Sequence, residues 1–496
     1  MPCVSSTFPA LASLGLPSPG GPDPLPSGCT FHVDSNTTYL GQGVVAGGSP
    51  FRLRQLSDQG ALAFESWAAG GPLEAALSQQ QLARRLVDDG VLHPTWPSEV
   101  FLDFDDVTVV IPIRDRPEQL NDLLAQLEEF RVIVVDDCSE DVNEIRRITS
   151  LHNVRLVTRD RQGGPGAARN TGMHEVTTPL TVFIDSDCWL TPEWLPPLLA
   201  HFTDPRVGAV APRIQGSRGA SSRERFEHDA SPLDVGSSPS LVRPGSPVSF
   251  LPSATLLLRT RLGPMLFDES LNGGEDVDLV WRLAESGWLV RFEPSSVVHH
   301  PMRGTLHGWF AQRYFYGTTA APLEQRHGDA AAPLKGPFWN LLGWLFVALG
   351  LPGLGAVCLG VSVELLRKRL QSFSDSPLRL AWDLSRFSWQ HTPALCRQLV
   401  RTYAPLMILG SLFSRRLRRA LLVTLSVGTL DRWQKSGSDL DVASFSYWSV
   451  LDDVTYAAGV WSGVLKMKRP GALLPRVTFT WRKPVPPFQN SSSQHT

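Results

Sequence analysis

The chain has 496 residues, 42% hydrophobic and 19% charged, enough for two or three domains. A formal net charge of −2 leaves no global basic field and argues against a nucleic acid partner. Six scattered cysteines without a C-x-x-C pair argue against a zinc module or a disulfide framework and fit a reducing compartment.

Residues 1–28 are rich in Pro, Gly and Ser and carry no basic-then-apolar leader, so they are expected to be a disordered lead. Residues 29–98 form a small unit. Short strands at Phe31–Tyr39 and Val44–Ala46 surround a Gly-x-Gly turn, and Ser57 caps a helix carrying Leu62, Ala63 and Trp67. A second helix carries Leu82, Leu86 and Val87, and Val91-Leu92 returns as a strand. This order is winged-helix-like. It reads either as a packing appendage or as a peptide-recognition module with an open strand edge.

Residues 99–330 alternate strands and helices. Val107–Ile113 is a buried strand, and Pro117 opens a helix with Leu120, Leu123, Leu124 and Leu127 on one face. The strand at Arg131–Val135 ends in Asp136-Asp137. A helix through Ile145 and Ile148 and a strand at Val154–Val157 follow, then a Gly163–Gly166 loop, a helix to Glu175, and the strand 181–185. Repeated β-α-β order predicts an α/β fold with a Rossmann-like, doubly wound, mostly parallel sheet. Thr191-Pro192-Glu193 is expected to start a further helix, and 213–247 reads as a long aperiodic loop. Gly273-Gly274 leads into a helix that opens with Glu275, Asp276 and Asp278.

Residues 331–482 are expected to be a hydrophobic, membrane-associated helical region. No charge occurs from Leu341 to Val363, a stretch long enough to cross a bilayer as one helix, with Pro352-Gly353 offering a kinked hairpin instead. Arg415-Arg416-Leu417-Arg418-Arg419 between two apolar runs suits an interfacial segment near anionic lipid. These features predict a chain at the cell membrane; its α/β domain is expected to be cytoplasmic, although Lys335 and Arg367-Lys368-Arg369 flank the apolar run on both sides and set no clean orientation. Residues 483–496 read as a disordered tail.

The acids gather at the carboxyl edge of the predicted sheet, where open α/β folds bind ligands. Asp136 and Asp137 can accept hydrogen bonds from a nucleotide's base or ribose. Glycines such as Gly164 let backbone approach a nucleotide closely. Arg169 either faces a phosphate or forms a salt bridge into the sheet. Asp185-x-Asp187 can place a metal against a diphosphate. His299 and His300 are either strand-end histidines or, at His300, a third metal ligand. Glu275 and Asp276 supply a base for an attacking hydroxyl, or Glu275 only caps its helix.

Val-Val-Ile-Pro-Ile-Arg, Val-Val-Asp136-Asp137-Cys-Ser, Gly-Pro-Gly-Ala-Ala-Arg169-Asn170-Thr-Gly, Ile-Asp185-Ser-Asp187 and Gly-Glu275-Asp276-Val-Asp278 stand in an order and spacing that resembles the GT-A glycosyltransferases of family 2. The resemblance implies a GT-A fold, a UDP-sugar donor, Mg2+ or Mn2+, and inversion at the sugar carbon. By motif match, Asp137 is implied for the nucleotide, Asp187 for metal and Asp276 for the base. The architecture over about 30–470 is further similar to the mycofactocin-system glycosyltransferases of actinobacteria. That implies a peptide-derived redox cofactor as acceptor and a β-linked glucose chain. The Gln-x-x-Arg-Trp signature of processive family members is not matched at Gln312-Arg313-Tyr314. Trp309, Arg313 and Tyr314 are the expected acceptor surface. Transfer to a lipid-linked or cell-wall glycan, and a non-catalytic scaffold, are the alternatives.

Overall fold

The computed structural model describes residues 24–96, 104–263, 265–301, 304–371 and 376–478. Most of the expected disordered lead and all of the expected tail lie outside these. The last part of the lead is anchored: Leu25 is buried, and the Gly28 amide donates to the Leu73 carbonyl at 2.9 Å.

In chain order the first elements are β1 (Thr30–Val33), β2 (Thr38–Tyr39), β3 (Val44–Gly47), β4 (Arg52–Gln55), α1 (Asp58–Ala68), α2 (Leu77–Asp88) and β5 (Leu92–Thr95). Next come β6 (Val107–Ile113), α3 (Pro117–Leu124), β7 (Arg131–Asp136), α4 (Val142–Leu151), β8 (Arg155–Thr158), α5 (Gly164–Glu175), β9 (Leu180–Ile184) and β10 (Trp189–Leu190). They are followed by α6 (Pro196–Ala200), β11 (Val207–Gly216), α7 (Ser222–Ala230), β12 (Ser240–Leu241), β13 (Thr255–Arg259), α8 (Glu275–Glu285) and β14 (Leu289–His300). The last third holds α9 (Leu306–Thr318), α10 (Ala320–His327), β15 (Lys335–Pro337), α11 (Phe338–Ala348), α12 (Pro352–Leu370), α13 (Pro377–Gln390), α14 (Thr392–Phe413), α15 (Arg415–Ser436), α16 (Val442–Met467) and β16 (Arg476–Thr478). The chain divides into two units. Of the described residues, one holds those within 24–35, 65–215 and 232–301, the other those within 36–64, 216–231 and 304–478.

The first unit is built on a sheet of order β10-β14-β11-β13-β9-β6-β7-β8, with β12 beside β14. β8, β7, β6 and β9 run parallel, whereas β13 is antiparallel to β9, and β11 to β13. The doubly wound expectation therefore holds for the parallel half, and the sheet as a whole is mixed. Fully buried strands such as Val107–Ile113 read as continuous apolar runs because both faces are covered. Helix α5 lies very close to the sheet. A side chain at Gly172 would run into Val110, so only glycine permits the approach. The helix expected at Thr191 begins later, at Pro196.

Strand β1 pairs with β5, and these strands and α2 are joined to the sheet by buried charges. Arg84 donates to Asp204 at 2.7 Å and to Asp88 at 2.9 Å. His93 shares a 2.9 Å bond with Asp34, and its other ring nitrogen lies 3.4 Å from Arg291. Burial pushes the His93 pKa down, which leaves a neutral ring able to donate to Asp34 and accept from Arg291.

The second unit contains the β2-β3-β4 sheet, so the expected 29–98 module is divided between the two units. Val44 and Ala46 pack on Leu366, Leu370 and Leu384. Residues 216–231, expected to be aperiodic loop, contain α7, closed by a capping box between Ser221 and Glu224. Phe226 packs edge-on against Phe445, and Arg432 donates to the Ala230 carbonyl at 2.8 Å. Helices α9 and α16 meet at glycines: a side chain at Gly317 would strike the Tyr456 carbonyl, and one at Gly459 the Tyr314 carbonyl.

The expected membrane span does not form. Gly350 adopts φ +78°, which ends α11, and Pro352 at the first position of α12 starts a new helix. Eleven residues of α11 reach only about 16 Å, roughly half a bilayer core. Among the described residues, no helix is long and apolar enough to cross a membrane. The apolar runs beside Arg415–Arg419 belong to the longer helices α14 and α15, whose remaining turns are polar. The expectation of a membrane-anchored chain is corrected accordingly.

Candidate functional site

The sequence places acids at the ends of two strands and at the start of one helix, and the fold of the first unit brings them to one edge. Asp136 ends β7, and its carboxylate accepts from the Ser139 amide at 3.2 Å. Asp137 is buried and accepts from the Gly163 amide at 2.9 Å and the Gly164 amide at 2.7 Å, with Arg159 Nε 3.0 Å away. Gly164 has φ +82°, a conformation that suits glycine. The Gly163–Gly166 stretch is thus the opening of α5, held down by Asp137, rather than a free loop.

Arg169 resolves between its two readings as a salt bridge. It is buried and donates to Asp185 Oδ1 at 2.7 Å and to Glu275 Oε1 at 3.2 Å, with its guanidinium 5.4 Å from the Phe267 ring centre. One cation therefore fixes both the loop after β9 and the start of α8. Asn170, beside it, pins the segment before α8: it donates to the Phe267 carbonyl at 2.8 Å and accepts from the Phe267 amide at 2.9 Å. Arg169→Lys is expected to cut turnover at least about tenfold while leaving nucleotide affinity near the parent value. A lysine ammonium is a point charge and cannot span two carboxylates as the guanidinium fork does. Measured kcat and donor KM would show the split, and an unchanged kcat would remove the positioning role.

Asp185, Asp187 and His300 each offer a ligand atom, and these atoms lie within 4.8 Å of one another. His300 Nδ1 is 2.9 Å from the Pro301 carbonyl, which orients the ring and leaves Nε2, 3.3 Å from Asp187 Oδ1, for a partner. Burial lowers the His300 pKa, but the bond to Asp187 and the charges of both aspartates outweigh it, so the net shift is upward. Asp187 Oδ2 meets the Arg116 guanidinium.

At the start of α8, Gly273 and Gly274 take φ +100° and +76°. They turn the chain so that Asp276 accepts from its neighbour Val277's amide at 2.8 Å and from the Ser253 amide at 3.2 Å. Burial, and then the charge of Glu275, push the Asp276 pKa up to about 6, against the opposing effects of these amides and Arg169. A carboxyl so poised takes a proton readily near neutral pH. Asp278 is fully engaged with Arg282 at 2.8 Å.

The expected acceptor residues stand elsewhere, in the second unit. Trp309 and Arg313 are each only 1% exposed. The indole donates to Glu227 at 2.8 Å, and Arg313 binds Glu227 and Asp452. Both are occupied inside the helical packing, where no sugar can stack on them. Tyr314 is 38% exposed and donates to Ser462 at 2.6 Å. Sequence reasoning missed Arg116, Arg159 and Asn170. Arg116 carried a signal, standing in the short turn after β6 directly before a helix-opening proline.

The glycosyl transferase family 2 model matches residues 108–254. The chain is 37% identical over 470 residues to the pre-mycofactocin glycosyltransferase of Mycobacterium tuberculosis, covering 91% of this chain and 98% of that protein. Glycosyltransferase AglE of Haloferax volcanii is 26% identical over 209 residues, covering 40% of this chain and 67% of that one. Among solved structures, the mannosyltransferase PcManGT from Pyrobaculum calidifontis in complex with GDP-Man and Mn2+ aligns at a TM-score of 0.35 and 18% identity, over 69% of this chain and 91% of its own.

Proposed function

Since the chain belongs to the glycosyltransferases of family 2, and within them to the family of the pre-mycofactocin glycosyltransferase, we propose that it moves glucose from UDP-glucose to a peptide-derived redox cofactor, with inversion, building a β-linked chain. The observation that carries the mechanism is the division of labour among the acids. Asp276 is tuned to accept a proton near pH 6, while Asp185 and Asp187 converge with His300.

The acceptor hydroxyl gives its proton to the Asp276 carboxylate as its oxygen bonds to the anomeric carbon. The bond from that carbon to the diphosphate breaks, and UDP leaves with the electron pair. Attack from the Asp276 side, opposite the leaving group, inverts the carbon, as in inverting glycosidases run toward synthesis. Asp137 fixes the opening of α5, and with Asp136 it serves the nucleotide. Arg169 keeps Asp185 and Glu275 in register. Asp185, Asp187 and His300 would hold Mg2+ or Mn2+, and the imidazole in the set favours Mn2+. When bound, the ion would offset charge growing on the diphosphate.

The test is to incubate the full chain with UDP-glucose, Mn2+ and pre-mycofactocin and to follow hexose additions by mass spectrometry. Successive additions are expected. UDP release without any addition would discard this acceptor in favour of a lipid-linked or cell-wall glycan.

A further inference from the structure

Arg116 has no part in the mechanism above, yet it touches a residue at its centre. It precedes Pro117, the first residue of α3, and its side chain makes no cap for that helix. The turn that carries it is firmly built. Asp115 takes φ 55°, its amide donates to Ser139 Oγ at 3.0 Å, and its Oδ1 accepts from the Glu140 amide at 2.6 Å. The turn after β6 is thereby tied to the turn after β7, beside Asp136 and Asp137. From this position the guanidinium reaches Asp187, 71 residues away in sequence. The arginine side chain is 37% exposed and the aspartate 9%, so the pair lies where the site opens to solvent.

The two oxygens of Asp187 are both committed. Oδ2 meets Arg116, and Oδ1 lies 3.3 Å from His300 Nε2. With both oxygens engaged, the carboxylate can turn one to a divalent ion only in competition with a cation already on it, and the two cations repel. His300 belongs to the candidate ligand set, so the partner to be shed is Arg116. Once released, the guanidinium still lies at the mouth of a site that receives a diphosphate, and its planar fork matches phosphate oxygens. Asp185 differs, because Arg169 engages only its Oδ1, at 2.7 Å, which leaves Oδ2 for an ion without an exchange.

We propose that Arg116 is an exchange partner: it holds Asp187 while no ion is bound and turns to the diphosphate of the nucleotide donor when ion and donor enter. The long side chain makes this turn with the backbone fixed, since the Asp115 bonds hold the loop in place. The inference rests on the metal reading of Asp185, Asp187 and His300 and gives the same ionic network two states.

The test uses the full chain and two probes, Mn2+ alone and UDP at saturating Mn2+. Free Mn2+ is read by electron paramagnetic resonance, and UDP affinity by calorimetry. Arg116→Gln is expected to bind Mn2+ about tenfold more tightly, because the competing cation is gone, and UDP about tenfold more weakly, because the phosphate contact is gone. Arg116→Lys, which keeps the charge, should restore most of the competition for Asp187 and leave Mn2+ affinity near the parent value. Opposite movement of the two constants in one variant distinguishes exchange from a structural role, which would weaken both. Unchanged or weakened Mn2+ binding in Arg116→Gln overturns the inference, as does unchanged UDP binding. A parent protein that fails to bind Mn2+ overturns the metal reading itself, and the exchange with it.

Discussion

The Asp276→Asn variant is expected to transfer sugar about a thousandfold more slowly while binding UDP as the parent does. The amide keeps the shape and can still accept from one of the Ser253 and Val277 amides, which bond different oxygens in the parent, but it cannot take a proton. The parent's own rate should carry the same information. With the Asp276 pKa at about 6, the carboxylate needed for proton removal is lost as pH falls below that value, so log kcat/KM should drop with unit slope there. The groups that set this limb are Glu275, whose charge raises it, and Arg169, which opposes it. Stability moves the other way. A carboxyl whose folded pKa lies above its unfolded value of about 3.9 has its stabilising effect fully present below that value and loses it as pH rises through 6. At pH 7.5 the ionised Asp276 therefore costs the fold something on the order of 1 kcal/mol, discounted because the group is only half-buried. The melting temperature of Asp276→Asn relative to the parent should therefore be higher at pH 7.5 than at pH 4. An Asn variant that retains turnover would remove the base role.

The second large effect is expected at Asp187. Asp187→Ala should abolish the strengthening of UDP binding by Mn2+, a loss of about a hundredfold or more. It removes one of three converging ligands and leaves Arg116 and His300 facing each other without the carboxylate that both touch. Asp185 keeps its bond to Arg169, so the loop after β9 stays in place and the loss is local. Calorimetry with UDP, with and without Mn2+, reads the result. A variant whose UDP affinity still rises with Mn2+ would place the ion elsewhere.

Much of the site was legible because it hangs on local pattern. Runs such as Val107–Ile113 and Arg131–Val135 name their own strands, and acids directly after them must fall at a sheet edge. The double glycine before Glu275 marks a turn into a helix. What escaped depends on distant partners. The burial of Trp309 and Arg313 is decided by Glu227 and Asp452, which no local window connects to them. Arg169 carried two readings until Asp185 and Glu275 were seen on either side of it. The antiparallel β11 and β13 are as fully buried as their parallel neighbours, and an apolar run carries no sign of direction. The charge-free run 341–363 reads as one span or as a hairpin kinked at Pro352-Gly353; the left-handed turn at Gly350, which ends one helix just before Pro352 begins another, carries no sign of itself in the sequence. Helix α7 was signalled by Ser221 and Glu224, a capping pair hidden among residues that otherwise read as loop.

The glycine crossing of α9 and α16 also has a history in time. Tyr314 and Ser462, bonded in the finished protein, are 148 residues apart, and Ser222 and Trp448 are 226 apart. At about 5–20 residues per second on the ribosome, α9 waits roughly seven to thirty seconds for the helix it packs against, and α7 waits longer. The strands from β6 to β14 have all been made by then. The sheet can close early in synthesis, while the cluster of Phe226 and Trp309 stays incomplete until Leu440, Phe445 and Trp448 arrive. Newborn chains of this protein therefore pass through an interval in which these side chains lack their final partners.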